Sequence, residues 1–295
     1  MTEETLSIGD LTIAVRREAT DLPSATDGPL ALFTTPTRPT TPTATVSVVW
    51  WDDRRSPVRR TEQLFASGGT WTLYRSADGG YVYDISSPVF GAQPYRTAWF
   101  DASYQTGWIA YRPDAVVRRA MRAALEYPLD ELLVTNLLAR GRGAELHACA
   151  VRDVDGRGFL FVGQSGDGKT TTARLWAAAG ATILSDDRVI VRRIHGQWRM
   201  FGTPWHGEAD YACPDSAVIT GVFVLRRGRE NVIEPVSSGL LSALLFARAF
   251  PPFYDPEAMD FTAGFLAELA TSVPGGWLAF TPTMEVVDFI RRWTP

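Results

Sequence analysis

The chain has 295 residues, of which 45% are hydrophobic and 21% charged, and its formal net charge is −4. Such values are typical of a globular protein of one or two domains. The negative balance, without a basic stripe or tail, argues against a nucleic-acid partner, and no segment reaches the length needed to span a bilayer.

The cysteines and the first residues indicate a cytoplasmic location. Cys149 and Cys213 have no metal-ligand spacing and predict no disulfide framework. The N-terminus is acidic and leads into no long apolar run, so we predict no signal peptide. We expect no membrane partner, and we leave the formation of a homo-oligomer open.

Residues 1–112 predict a smaller, mainly-β N-terminal domain. Short β-branched or aromatic runs bounded by turn residues occur at 11–15, 44–51, 70–75, 81–85 and 107–111. Between them, residues 34–43 are almost all Thr and Pro, which favours an extended loop. Trp50, Trp51, Tyr74 and Tyr83 are interpreted as core residues in preference to a ligand-stacking face.

The hydrophobic period changes at Pro113, and residues 113–140 predict a helical bridge. One helical stretch carries Val116, Val117, Met121 and Leu125, and a second covers 129–139. We predict that the domain that follows comprises residues 141–295.

Residues 163–170 match the phosphate-binding P-loop pattern G-x-x-x-x-G-K-[ST]. An apolar strand, 159–162, precedes the motif, and a helix is predicted from Thr171 to the residue before Gly180. Backbone N–H groups at the start of such a helix bind phosphates. The predicted nucleotide-binding residues are Gly163, Ser165, Gly166, Asp167, Gly168, Lys169, Thr170 and Thr171.

A chance match in a glycine-rich turn is the alternative, and the lysine content argues against it. Lys169 is the only lysine among the 29 lysine and arginine residues of the chain. The planar fork of arginine cannot replace a compact ammonium group inside a tight phosphate cradle. We therefore predict that Lys169 contacts the outer phosphates of a nucleotide and that the Thr170 hydroxyl binds Mg²⁺.

Asp186 and Asp187 follow a predicted buried strand at 181–185. A carboxylate in this position after a P-loop is typical of an Mg²⁺ ligand. The second carboxylate can accept a proton from an attacking hydroxyl. The pair would otherwise be a solvated turn before Arg188.

Two later segments also carry polar groups that suit a site. The loop at 202–208 contains Trp205, His206 and Glu208, which are candidates for substrate contact, with structural hydrogen bonding as the alternative. Arginines at 226, 227 and 229 can steady phosphate charge, although exposure at a hairpin tip is the preferred interpretation.

Together these motifs resemble the catalytic domain of HPr kinase/phosphorylase, whose fold is shared with ATP-dependent phosphoenolpyruvate carboxykinase. His147, sixteen residues before Gly163, matches a histidine that both relatives carry near the metal and the transferred phosphate. The resemblance covers residues 141–295. It implies an α/β P-loop kinase domain in which Lys169 binds phosphates and Thr170 binds Mg²⁺.

The resemblance also suggests roles for the acidic pair. Asp186 is the expected base and Asp187 the expected metal ligand, and the reverse order stays open. Lys169 and His147 complete the expected catalytic set. The Arg-Gly-Leu-Gly-type loop used for phosphorolysis in that family is absent where residues 202–208 stand.

The expected function is transfer of the γ-phosphate of ATP, with Mg²⁺, to a serine of a peptide or protein. The chain looks similar to divergent HPr-kinase-related proteins, some of which phosphorylate a serine on a lasso-peptide precursor. The alternatives are a kinase of a small hydroxyl compound such as free serine, a carboxykinase-like metabolic enzyme, and a non-catalytic nucleotide-binding regulatory module.

Overall fold

The computed structural model describes residues 2–52, 58–114, 117, 121 and 123–294. The chain divides into two compact units, Met1–Leu137 and Leu138–Pro295. They are called the N-terminal and the C-terminal unit below. None of the helices in these described ranges combines the length and the apolar character that crossing a membrane requires.

The N-terminal unit is built on one sheet whose eight strands occur in the order β1-β2-β3-β8-β7-β6-β5-β4 within the described residues. Neighbours are antiparallel except for β2–β3 and β3–β8, which are parallel. The strands are β1 (Thr2–Ile8), β2 (Leu11–Arg17), β3 (Ala44–Trp50), β4 (Arg60–Ala66), β5 (Trp71–Ser76), β6 (Tyr81–Ile85), β7 (Arg96–Phe100) and β8 (Thr106–Tyr111).

Alternation along these strands produces one buried face. In β7, Ala98 and Phe100 are fully buried, whereas Trp99 between them is half-buried on the other face. Tyr83 lies in the core, with its hydroxyl 2.7 Å from that of Tyr104. The five predicted strands are confirmed, and the 34–43 segment is confirmed as a loop.

The described residues of this region agree only in part with the predicted helices. Two short 3₁₀-helices, Gly28–Phe33 and Pro88–Phe90, lie between strands, and α1 (Leu129–Leu138) confirms the second predicted helical stretch. The first stretch lies partly outside the described residues, among them Val116, and residues 123–128 form a bridge and turns in place of a helix. That part of the helical prediction is wrong.

The C-terminal unit contains a second mixed sheet with helices on both of its faces. Its strands are β9 (Ala144–Arg152), β10 (Gly158–Val162), β11 (Thr182–Ser185), β12 (Arg188–Ile194), β13 (Gln197–Phe201), β14 (Ser216–Arg227), β15 (Val232–Pro235) and β16 (Gly275–Phe280). Its helices are α2 (Lys169–Ala178), α3 (Ser238–Phe246), α4 (Pro256–Ser272) and α5 (Glu285–Arg292).

Two apolar clusters hold these layers together. Leu241 of α3 and Leu266 of α4 pack with Leu146 and Val222 on one face of the sheet. On the other face, Trp176 of α2 packs with residues that include Phe159, Phe161, Phe223 and Ile290. Because alternate residues of β9 and β10 serve opposite clusters, both strands read as almost continuous apolar runs.

Strand β9 organises the edge of the sheet where the candidate site lies. It is antiparallel to β10 through 148–152 and antiparallel to β11 through 150–152. The two partners of β9 therefore run parallel to each other, and their C-terminal ends point to the same edge of the sheet. Both the 163–170 segment and the acidic pair begin at those ends.

Tyr111 shows how the N-terminal unit buries polar groups. Its hydroxyl donates to the carbonyl of Ala123 at 2.8 Å. The buried Arg96 guanidinium lies close by and donates to the carbonyl of Ala124 at 3.2 Å. Burial raises the pKa of Tyr111 from 10.0 to about 12, although the charge of Arg96 acts in the opposite direction.

This shift predicts a loss of stability in alkali that depends on one phenol. Between pH 10 and pH 12 the unfolded chain has released the Tyr111 proton while the folded chain retains it, so stability falls as pH rises. Because Phe has no proton to lose, Tyr111→Phe should lose about 1 kcal/mol less than the wild type between pH 9 and pH 11. Urea unfolding at the two pH values measures the difference, and equal losses in both proteins would contradict the prediction.

Candidate functional site

The candidate site lies at the sheet edge where β10 and β11 end. The glycine loop, residues 163–170, leaves β10, and Asp186 and Asp187 leave β11. His147 precedes the β9 residue that pairs with the end of β10, and its Cα partner on β12 is Arg188. The predicted histidine, glycine loop and acidic pair therefore come from adjacent strands.

The backbone of the glycine loop requires residues without a side chain at two positions. Gly166 has φ of +87° and Gly168 has φ of +106°, a region that disfavours other residues. A Cβ on Gly168 would also lie 2.8 Å from the Phe280 ring. The loop is closed from within, because Asp167 Oδ2 accepts the N–H of Gln164 at 2.6 Å.

Helix α2 begins at Lys169 without a side-chain cap. Its first turn contains no acidic residue either. The N–H groups of a first helical turn have no partner inside the helix, and the helix dipole makes that end positive. Among the predicted nucleotide-binding residues, Ser165 and Gly166 are exposed, and Thr170 and Thr171 are half-buried. This helix start can accept an anion.

The Lys169 ammonium group is buried at the centre of the loop. Only 6% of the residue is exposed, and Nζ donates to the carbonyls of Gly163 and Gln164 at 3.0 Å each. Burial lowers the pKa of Lys169, while the negative charges of Asp187 and Asp167 act to raise it. Asp187 therefore interacts electrostatically with the ammonium group that the sequence singles out.

The side chain of Asp186 accepts two hydrogen bonds from the backbone of the 202–209 loop, which is the predicted 202–208 loop with one further residue. Its Oδ1 accepts the N–H of Gly207 and its Oδ2 the N–H of Ala209, each at 3.0 Å. Only 2% of the residue is exposed. Gly207 is held so close that an added Cβ would lie 2.9 Å from the carboxylate. Asp186 thus fixes the loop to the end of β11.

Asp187 has different partners and greater exposure. His147 Nε2 lies 2.9 Å from Asp187 Oδ1, and 26% of the Asp187 side chain is exposed. Its second oxygen accepts a hydrogen bond from Arg188. Burial acts to raise the pKa of Asp187, but the His147 hydrogen bond and the charges of Arg188 and Lys169 lower it overall. Asp187 therefore stays ionised at neutral pH.

Glu145 and Phe250, which the sequence did not single out, both contact Arg188 and so support the pair of His147 and Asp187. Glu145 lies two residues before His147 on β9, with a fully buried side chain whose Oε1 is 3.6 Å from Arg188 Nε. The Arg188 guanidinium carbon lies 4.1 Å from the centre of the Phe250 ring. The spacing of Glu145 and His147 on one face of a strand was a usable signal. Phe250 is a distant residue that the sequence does not connect with the site.

The three predicted substrate residues do not share one environment. Trp205 is almost buried, at 9% exposure, and Glu208 is exposed. His206 Nδ1 lies 3.0 Å from Asp210 Oδ1. All three belong to the loop that Asp186 holds, and substrate contact stays a prediction.

One arginine of the 226–229 cluster lies beside the glycine loop. Arg227 Nη2 donates to the carbonyl of Gly166 at 3.3 Å, whereas Arg226 pairs with Glu234. The sequence favoured exposure of this cluster at a hairpin tip and did not predict the contact between Arg227 and the glycine loop.

The oxygen donors at this edge suit a metal ion that binds together with a phosphate ligand. Within the described ranges, no group of three or more His, Cys, Asp or Glu side chains is arranged to hold a metal ion. Mg²⁺ needs no such group, because it usually binds through one or two protein oxygens, several waters and substrate phosphates. The hydroxyl of Thr170 and the carboxylate of Asp187 are oxygen donors of this kind.

The hydrogen bonds predict different effects for the two aspartates. Asp186→Asn replaces one acceptor by an N–H₂ group that faces a backbone donor, which should cost about 1–3 kcal/mol. Hydrogen exchange at Gly207 and Ala209 should therefore accelerate by about tenfold or more. The matched variant Asp187→Asn should leave both amides protected. Unchanged exchange in Asp186→Asn would show that the loop does not depend on this carboxylate.

Comparison with known proteins leaves the family of the chain unassigned. No protein-family model matches it, and no curated protein matches it. Among solved structures, it is similar to the Hpr(Ser) kinase/phosphatase from Coxiella burnetii, with 11% identity and a TM-score of 0.29. The match covers 50% of this chain and 90% of that one. This likeness is too remote to carry an argument about the site.

Proposed function

We propose that the chain is an ATP- and Mg²⁺-dependent kinase that transfers the γ-phosphate to a serine hydroxyl of a peptide or protein. One observation carries the proposal. An uncapped helix start with a buried lysine leaves the same sheet edge as a carboxylate that is hydrogen-bonded to a histidine. A polyphosphate fits the first group, and the Mg²⁺ ion that accompanies it fits the second.

The phosphate end of the proposed site combines backbone donors with one cation. The first-turn N–H groups of α2 would bind phosphate oxygens, and Lys169 Nζ would exchange its two carbonyl partners for the outer phosphates. An ammonium group suits this exchange, since it is a compact charge with three rotatable donors. Arg227, already bonded to the Gly166 carbonyl, adds positive charge beside the loop.

The metal would be held by Thr170 and Asp187. When bound, Mg²⁺ neutralises charge that develops on the transferring phosphate. His147 and Arg188 fix the orientation of the Asp187 carboxylate and keep it ionised, which is the form that binds a cation. Glu145 in turn neutralises part of the charge of Arg188.

The hydrogen bonds favour one assignment of roles to the two aspartates. Both oxygens of Asp186 accept backbone N–H groups, and the residue is almost completely buried. Asp187 is the more accessible carboxylate. We therefore assign ligand contact to Asp187 together with His147, and a positioning role to Asp186, which acts through the 202–209 loop. The alternative assignment makes Asp186 the base.

The test of the function is transfer of labelled phosphate from ATP to serine-containing peptides in the presence of Mg²⁺. Asp187→Asn should lower the rate by about 10³-fold, because charge-stabilising and proton-accepting groups contribute on that scale. Asp260→Asn changes an exposed aspartate of α4 and should keep the wild-type rate. If Asp186 is the base, Asp186→Asn abolishes transfer, whereas a positioning role through the 202–209 loop predicts that part of the rate remains.

Lys169 should tolerate no replacement, including arginine. We expect Lys169→Arg to lose nearly as much ATP affinity as Lys169→Ala, because the planar fork does not fit the space between the Gly163 and Gln164 carbonyls. The reciprocal control is Arg174→Lys, at an exposed position of α2. Calorimetry with ATP measures both, and normal affinity in Lys169→Arg would contradict the role given to this lysine.

The same assays separate the alternative functions. Phosphorylation of free serine but of no peptide would identify a small-molecule kinase. Release of phosphoenolpyruvate from oxaloacetate and ATP would identify carboxykinase chemistry. Tight ATP binding without transfer to any acceptor would indicate a regulatory nucleotide-binding module and would remove the proposal.

A further inference from the structure

Residues 248–250, between α3 and α4, form a short extended segment beside strand β9. The N–H of His147 donates to the carbonyl of Arg248 at 2.8 Å, and the N–H of Phe250 donates to the carbonyl of Glu145 at 3.0 Å. These two backbone bonds enclose the part of β9 that carries His147. The 248–250 segment is therefore attached directly to the strand that leads into the candidate site.

The other partners of β9 show on which edge this segment lies. Residues 144–147 of β9 pair with β12, and the antiparallel bridge between Leu146 and Ala249 involves the same stretch. Two partners of the same residues lie on opposite edges of a strand. The 248–250 segment therefore continues the edge of β9 along which β10 pairs, at the end where the glycine loop leaves β10.

The neighbouring helices restrain the segment. At its start, the N–H of Arg248 donates to the carbonyl of Leu245 in the last turn of α3 at 3.0 Å. Further along the chain, the side chain of Asp255 caps the first turn of α4. Two prolines follow Phe250 directly, and their fixed φ angles limit the freedom of the backbone between these anchors. The Phe250 ring is consequently presented to β9 from a restrained backbone.

The Phe250 ring contacts both groups that hold the Asp187 carboxylate. Its centre lies 4.1 Å from the guanidinium carbon of Arg188 and 6.3 Å from the centre of the His147 ring. A cation within about 6 Å of an aromatic centroid is attracted by the ring face. Only 22% of the Arg188 side chain is exposed, so this attraction acts in a partly desolvated environment, where it is stronger.

Arg188 has two acidic neighbours, and its orientation decides how it serves each of them. It donates from Nη1 to Asp187, and its Nε lies 3.6 Å from the buried Glu145 Oε1. A guanidinium that packs against an aromatic ring loses rotational freedom. The contact with Phe250 therefore favours the orientation in which Arg188 reaches both acids.

We propose that Phe250 is a positioning residue for Asp187 and sets the Mg²⁺ affinity of the candidate site. It acts through Arg188 and His147, which keep the Asp187 carboxylate in one orientation. A carboxylate that is already oriented loses less conformational freedom when it binds a cation, and its affinity is correspondingly higher. This role depends on the proposed function only through the assignment of Asp187 as a metal ligand.

The first test is an NMR titration of the full chain with MgCl₂ in the absence of nucleotide, followed at the backbone N–H signals of Thr170 and Asp187. We expect saturable shifts in the wild type. Phe250→Leu removes the ring face and should need about fivefold more Mg²⁺ for half-saturation. Phe250→Tyr keeps an aromatic face and should stay within about twofold of the wild type.

Phe261→Leu is the matched control for this titration. It makes the same substitution at another half-buried position, in α4, where the ring contacts Phe265. It should have the half-saturation of the wild type. Circular dichroism identifies any variant that is unfolded, and Phe250→Met, which also lacks a ring, replaces Phe250→Leu if that variant does not fold.

The second test is the Mg²⁺ dependence of phosphate transfer from ATP. Phe250→Leu should raise the Mg²⁺ concentration for half-maximal rate about fivefold and leave the rate at saturating Mg²⁺ within about twofold of the wild type, because Lys169 and the glycine loop are unchanged. A purely structural role would lower the saturated rate and leave the Mg²⁺ dependence of the remaining activity unchanged.

Three results would overturn the role given to Phe250. One is equal half-saturation by Mg²⁺ in the wild type and Phe250→Leu, and another is the absence of any Mg²⁺-dependent shift at Asp187 in the wild type. The third is a loss of rate in Phe250→Leu that saturating Mg²⁺ does not restore. Absence of transfer to any acceptor would remove the proposed kinase function alone, because the titration with MgCl₂ measures the effect of Phe250 without nucleotide or acceptor.

Discussion

The candidate site depends on one constraint, the antiparallel pairing of β9 with two strands at once. The N–H and C=O groups of β9 are satisfied by β10 on one edge and by β11 and β12 on the other. Because β10 and β11 are both antiparallel to β9, they must run in the same direction and end at the same edge of the sheet. The glycine loop and the acidic pair are separated by the fifteen residues 171–185, and this shared pairing brings them to the same edge.

The break between β11 and β12 gives the two aspartates their separate environments. Ala150 pairs with Ser185, and the N–H of Ala148 donates to the carbonyl of Asp187 at 3.0 Å. Successive side chains at such an irregularity leave the strand in different directions. One carboxylate consequently binds the backbone of a following loop, while the next reaches His147 on the neighbouring strand.

The charges at this edge are balanced in small groups. Burial alone disfavours the charged forms of Lys169 and Asp187, and each acts on the other in the direction that restores charge. Arg188 contacts both Asp187 and Glu145, so one guanidinium supports two acids. The charged groups around Asp187 are therefore already oriented, and the proposed phosphate ligand would require Lys169 to exchange its two carbonyl partners.

The strands that lead into the candidate site were predicted from the sequence, whereas several other strands of both sheets were not. The strands that carry His147, the glycine loop and the acidic pair are buried on both faces, and their apolar runs are recognisable without an alignment. Strands β1 and β4, which lie at sheet edges and are rich in charged and polar residues, were missed, and so was β7 in the middle of the same sheet. Short β15, at the edge of the other sheet, was missed too.

Contacts between distant segments account for what the sequence did not predict about the site. The residue types at Asp186 and Asp187 are identical, so only their partners, Gly207 and Ala209 for one and His147 for the other, distinguish them. Those partners lie 20 to 40 residues away in the chain, and no local pattern encodes the pairing. Gly207 illustrates the limit, since its lack of a side chain is explained by the close approach of the Asp186 carboxylate and not by a turn. A loop that is tied in this way to the end of β11 keeps its position relative to Asp187, and this links any residue it presents to the geometry of the proposed metal ligand.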